Sequence, residues 1–142
     1  MSAIRVYPAG TLESYDYVVM LSRCRGKYLL SRHKGRNTWE MQGGHIEPGE
    51  TPEQAAKREL YEESGAGAFE LSPLCDYSGE EPGRNNDGRG MVFEADIREL
   101  GELPESEMEA VRLFESFPDD LTYPEITRAI LQYKNKQRCD CA

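Results

Sequence analysis

Glu59, Glu62 and Glu63 stand three and four residues apart, so on a helix they share one face. Like charges at that spacing destabilise an isolated helix by roughly 0.2–0.5 kcal/mol per pair. A divalent cation turns that repulsion into coordination, and ligands that are all oxygen point to a hard ion, Mg²⁺ or Mn²⁺, rather than zinc. Three glutamates alone read as solvated surface. Their context changes the reading. They follow a glycine-rich loop, Gly43-Gly44 through Gly49, whose backbone can approach a ligand or offer a carbonyl. Glu50 stands just before the helix, and Arg58 adjoins the cluster, where it can orient a carboxylate through two hydrogen bonds.

The helix that must carry these groups is marked at both ends. Thr51 is a cap, Pro52 suits the first helical position, and Gln54 completes a capping box. Ala55, Ala56 and Leu60 offer a small apolar face, and Gly65 is placed to stop the helix, giving Pro52 to Ser64. Around it the chain alternates between strands and helices. Tyr17 to Leu21 and Tyr28 to Leu30 read as a hairpin about Arg25-Gly26-Lys27, and Trp39 to Gln42 as a short strand. Phe69 to Tyr77 reads as a strand interrupted by Pro73, and Gly79 to Gly90 as a flexible loop. Met91 to Ile97 and Ala110 to Phe114 follow as strands. Pro124 to Lys136 reads as a closing helix, with Ile126, Ala129, Ile130 and Tyr133 at helical spacing.

The segment from Gly44 to Ala66 resembles the Nudix box, the signature of the Nudix hydrolases, G-x5-E-x7-R-E-U-x-E-E-x-G-U with U a bulky aliphatic residue. Gly44, Glu50, Arg58, Glu59, Leu60, Glu62, Glu63 and Gly65 match it in type and spacing. Ala66 departs from the pattern, at a position that concerns packing. The resemblance implies an α+β fold, an α/β/α sandwich with a mixed central sheet. It implies hydrolysis of a nucleoside diphosphate linked to another group, with Mg²⁺ or Mn²⁺ as cofactor. By the same resemblance Gly44 (through its carbonyl), Glu59, Glu62 and Glu63 hold the metal. Glu59, Arg58 and Glu62 form the catalytic set, with Glu59 as the base. Some members draw a further carboxylate from a later loop, for which Glu105, Glu107 and Glu109 are the candidates and Glu107 the choice.

The chain looks most like small MutT-type members, which split nucleoside triphosphates to monophosphate and pyrophosphate, oxidised guanine nucleotides such as 8-oxo-dGTP among them. Arg32 matches a nucleotide-contacting arginine of that group, and Gly43 and Trp39 join it as substrate-binding candidates. Trp39 to Gly44 resembles W-x-x-P-G-G, with Gln42 in place of proline. The asparagine that reads the oxidised purine is absent from Leu121-Thr122-Tyr123-Pro124. The alternatives are a hydrolase of ADP-ribose, another nucleotide sugar or a dinucleotide, a nucleotide-binding sensor without catalysis, and a prenyl diphosphate isomerase.

Length and composition bound these expectations. The 142 residues suit one domain over 1–142 with one core. A net charge of −9 argues against coating a nucleic acid polymer. It also requires a cation if an acidic protein is to hold a phosphate. No stretch reaches the roughly 20 apolar residues of a membrane span, and the start lacks a signal-like run, so the expected location is cytoplasmic. Cys24, Cys75, Cys139 and Cys141 form no zinc pattern, and Cys139-Asp140-Cys141 reads as a frayed, reduced tail. His33 and His45 flank the loop and can touch phosphate. The expected partner is a small nucleotide, and family members often form homodimers.

Overall fold

A computed structural model describes residues 4–79 and 88–140, with only the backbone of 138–140. The strands are β1 (Arg5–Pro8), β2 (Tyr17–Cys24), β3 (Lys27–His33), β4 (Gln42–His45), β5 (Ala66–Gly79), β6 (Gly88–Leu100) and β7 (Met108–Phe114). The helices are α1 (Pro52–Ser64) and α2 (Pro124–Asp140). The strands form one sheet in the order β1-β5-β6-β2-β3-β7, with β4 paired to β2 off that path. The β2–β6 pair is parallel and the others are antiparallel, so the sheet is mixed.

Alternation along β2 places a helix on each face. Val19 and Leu21 enter the core that Ile126 and Ile130 of α2 complete. Val18 and Met20 point the other way, against Ala55, Ala56 and Leu60 of α1. The result is the expected three-layer α+β sandwich, with α1 and α2 on opposite sides of the sheet. The helix α1 has its expected ends. Thr51 is in extended conformation; its Oγ1 accepts from the Gln54 N–H, and its own N–H donates to Gln54 Oε1. Gly65 is left-handed at φ 81° and donates to the Tyr61 carbonyl at 2.8 Å.

Several boundaries differ from the sequence reading. Trp39 and Glu40 make isolated bridges, to Leu121 and Ser31, and the strand proper runs from Gln42 to His45. Its glycines, expected as loop, lie in register with β2 as Val18↔Gly44 and Val19↔Gly43. Glycine composition signals a turn, but here it permits close approach. The strand β5 passes through Pro73 with a register shift before Cys75, an irregularity that accommodates proline's missing donor. The strand β1, to which the sequence reading assigned no element, pairs with the edge of β5 at Arg5↔Ser78 through Pro8↔Cys75. The flexible loop expected at Gly79 to Gly90 falls mainly on 80–87, outside the described residues, as does Cys141. No described helix is long and apolar enough to cross a membrane.

Candidate active site

Arg58, midway along α1, is the hub of the site's charges. Its Nε and Nη2 donate to Glu50 Oε2 and Oε1 at 2.7 and 2.8 Å, a two-point clamp. Its Nη1 donates to Glu59 Oε1 at 2.7 Å and lies 3.6 Å from Glu62. Its Nη2 also reaches the His45 carbonyl at 3.1 Å, tying α1 to the end of β4. The Arg58 guanidinium and the Glu47 N–H hold the Glu50 carboxyl down at about 2, so it is firmly ionised.

Glu59 and Glu63 have the opposite environment. Burial pushes the Glu59 carboxyl above its ordinary range, against the pull of Arg58. Glu63 is 9% exposed, and burial, abetted by the charges of Glu59, Glu40 and Glu107, pushes it up to about 9. The Gly43 N–H, donating to Glu63 Oε1 at 2.8 Å, offsets only part of that cost. Gly44 matters through what it lacks. A Cβ there would stand 2.6 Å from the Glu59 carboxylate, so only glycine lets that group lie against the β4 backbone.

These groups suit a hard divalent cation in kind. The donors are all oxygen, their like charges are concentrated and desolvated, and the Gly44 backbone is open to Glu59. Among the described residues, no three acidic, His or Cys side chains are yet gathered closely enough to hold an ion. Arg58 engages Glu59 and stands 3.6 Å from Glu62, which is 47% exposed.

A cavity of about 420 Å³ opens beside this cluster, with Gly43, Gly44, Glu63 and Glu107 in its lining. His33 and His45 also line it, as the sequence suggested for residues flanking the loop. The three late glutamates separate clearly. Glu105 pairs with Lys34 at 2.9 Å and Glu109 with Arg32 at 3.4 Å, both facing away, while Glu107 faces the cavity beside His33.

Part of the cavity lining was not legible in advance: Arg36, Glu40, Tyr123, Ile126 and Thr127 also line it. The Arg36 guanidinium donates to Glu40 Oε1 at 3.2 Å and to the Tyr123 side chain. Tyr123 is held there because the segment before it is tied to Trp39, through Trp39 N–H to Asp120 O and Thr122 N–H to Trp39 O, each 2.9 Å. Glu40 stood inside the recognised Trp39–Gly44 run and Tyr123 inside the Leu121–Pro124 stretch, which are the signals that could have found them. Arg32 and Trp39 do not line this cavity. Arg32 lies over the Trp39 ring at 5.4 Å, and Trp39, 8% exposed, packs edge-on against Phe114.

The model of the NUDIX domain family matches residues 14–130. A Bacillus subtilis protein named "Putative 8-oxo-dGTP diphosphatase YtkD" is 33% identical over 111 residues, covering 78% of this chain and 68% of that one. An RNA pyrophosphohydrolase of Photorhabdus laumondii is 45% identical over 57 residues, covering 40% of this chain; the match spans only 32% of that relative's length. Among solved structures, a Bacillus subtilis pyrophosphohydrolase, BsRppH, superposes with a TM-score of 0.78 at 24% identity, over 94% of this chain and 90% of that one. At that identity the likeness concerns the fold.

Proposed function

The chain belongs to the Nudix family, hydrolases of phosphoric anhydrides, and from that premise we propose that it splits a nucleoside triphosphate into monophosphate and pyrophosphate. Its single domain, taken as residues 1–142, would work with Mg²⁺ or Mn²⁺. The observation that carries the reading is one cavity whose lining joins Gly43, Gly44 and the desolvated Glu63 to Arg36, Glu40 and Tyr123. The carboxylate-bearing part suits the triphosphate through a cation, and the Arg36–Tyr123 part suits a base.

In this reading the Gly44 carbonyl with Glu59, Glu62 and Glu63 holds the ion. When bound, the ion neutralises diphosphate charge and acidifies water. The chain's own residues do the rest. Arg58 orients Glu59, whose raised carboxyl is suited to taking the proton of the attacking water. Glu50 keeps Arg58 in place. Glu107 adds a carboxylate from the cavity lining, and Gly43 bounds the phosphate part. Arg32 and Trp39 act from behind the wall, Trp39 by anchoring the segment that presents Tyr123.

The printed name of the Bacillus subtilis relative supports a nucleoside triphosphate substrate, since that match covers most of both chains. The test is a panel of canonical and oxidised (d)NTPs, ADP-ribose, dinucleoside polyphosphates and 5′-triphosphorylated RNA, each with Mg²⁺ and Mn²⁺. Release of pyrophosphate from a free triphosphate, 8-oxo-dGTP among them, at the highest kcat/KM is the expected result. Faster cleavage of ADP-ribose or of the RNA end would overturn the substrate assignment while leaving the anhydride chemistry intact.

A further inference from the structure

Gln42, at the start of β4, is fully buried. Its amide must therefore find protein partners or carry a desolvation cost. It finds them all. Ser22 Oγ of β2 donates to Gln42 Oε1 at 2.6 Å. Gln42 Nε2 donates to the Leu29 carbonyl at 3.1 Å and to Ser31 Oγ at 2.9 Å, both on β3. A backbone carbonyl only accepts, so the orientation of the amide is fixed. Ser31 Oγ, having accepted from Gln42, has one hydrogen left to give, and gives it to the Glu63 carbonyl at 2.7 Å.

The direction of donation thus runs from β2 through β4 and β3 into the last turn of α1. The carboxylate of the same residue is held from the same strand, by the Gly43 N–H at 2.8 Å. Two adjacent residues of β4 therefore fix Glu63 at both ends, one directly and one through Ser31. Neither Gln42 nor Ser31 lines the cavity.

We propose that Gln42 and Ser31 are positioning residues that hold the Glu63 carboxylate in its metal-binding place. The proposal rests on the reading of Glu63 as a metal ligand. A fully satisfied buried network is rigid, so it sets the height of the helix end above β4 to within a hydrogen-bond length. Outer partners of this kind usually cost 10–100-fold in metal affinity when removed.

The test is direct Mn²⁺ binding by calorimetry to the full chain without nucleotide, with the melting temperature of each variant recorded. Ser31→Ala and Gln42→Met are each expected to raise the Mn²⁺ Kd by about tenfold or more. Combined with Glu63→Gln, Ser31→Ala is expected to add no further loss, because the relay acts through Glu63. Should Gln42→Met fail to fold, Ser31→Ala decides alone. Wild-type Mn²⁺ affinity in folded Ser31→Ala, with Glu63→Gln weakened, would overturn the relay. Wild-type affinity in Glu63→Gln would instead overturn the metal assignment beneath it.

Discussion

Three carboxylates are buried among the described residues; Glu40 is paired with Arg36, and Asp76 and Glu63 differ in that only Glu63 is left in want. Asp76 of β5 is 0% exposed and accepts from Gly10 N–H at 3.3 Å, Leu12 N–H at 2.9 Å and Tyr15 Oη–H at 2.7 Å. It fastens the segment after β1 onto the sheet, and its charge is absorbed in that task. Glu63 of α1 is nearly as buried but receives one N–H and faces three other carboxylates. Burial alone does not separate a structural acid from a functional one. What separates them is whether the fold itself satisfies the charge.

That comparison can be broken experimentally. Glu63→Gln should cost at least about a hundredfold in kcat, the scale of several kcal/mol of lost charge stabilisation. Its metal-free melting temperature near neutral pH should hold or rise, because folding no longer has to protonate a buried carboxyl. A variant that kept full activity would make Glu63 as structural as Asp76. Asp76→Ala should show the reverse: about 3 kcal/mol lost in denaturant unfolding, from orphaned donors, with kcat below the melting temperature close to wild type.

Gly44→Ala is a smaller, sharper probe. Its Cβ meets the movable Glu59 carboxylate rather than backbone, so stability should change by under about 1 kcal/mol. Activity should fall roughly tenfold as Glu59 is displaced. Equal losses of fold and activity would mean that the strand itself gave way.

The remaining effects concern pH: Glu63 and Tyr15 share a sign, and Glu50 has the opposite one. The Glu63 carboxyl is raised from 4.5 to about 9 in the folded chain. The folded state thus binds a proton the unfolded one has released, and stability declines as pH rises from about 4.5 through 9. Thermal melts in EDTA should show that decline, and Glu63→Gln or added Mg²⁺ should flatten it. Tyr15, raised from 10 to about 12 by burial and Asp76, contributes stability that is whole below pH 10 and lost towards pH 12. Asp76→Ala should reduce that alkaline loss, and burial keeps the rest. Glu50, lowered from 4.5 to about 2 by Arg58, contributes above pH 4.5 and fails as pH falls through 2.

What the sequence by itself determined is what lies within a few residues of chain. The helix α1, its capping box, its glycine stop and the shared face of Glu59, Glu62 and Glu63 follow from a repeat of 3.6 residues. The pairing of Arg58 with Glu50 and Glu59 is nearly as local. The tertiary structure decided the rest. It brought Arg36 and Glu40 to Tyr123 across the Trp39–Leu121 bridge, and put Glu107 rather than Glu105 or Glu109 in the cavity lining. It turned Gln42, a departure from a familiar motif, into a buried junction between β2, β3 and α1. These outcomes depend on sheet register and on exclusion of water, and neither is written in local spacing. A carboxylate's place on a helix can be counted along the chain; whether it is left unsatisfied depends on everything packed around it.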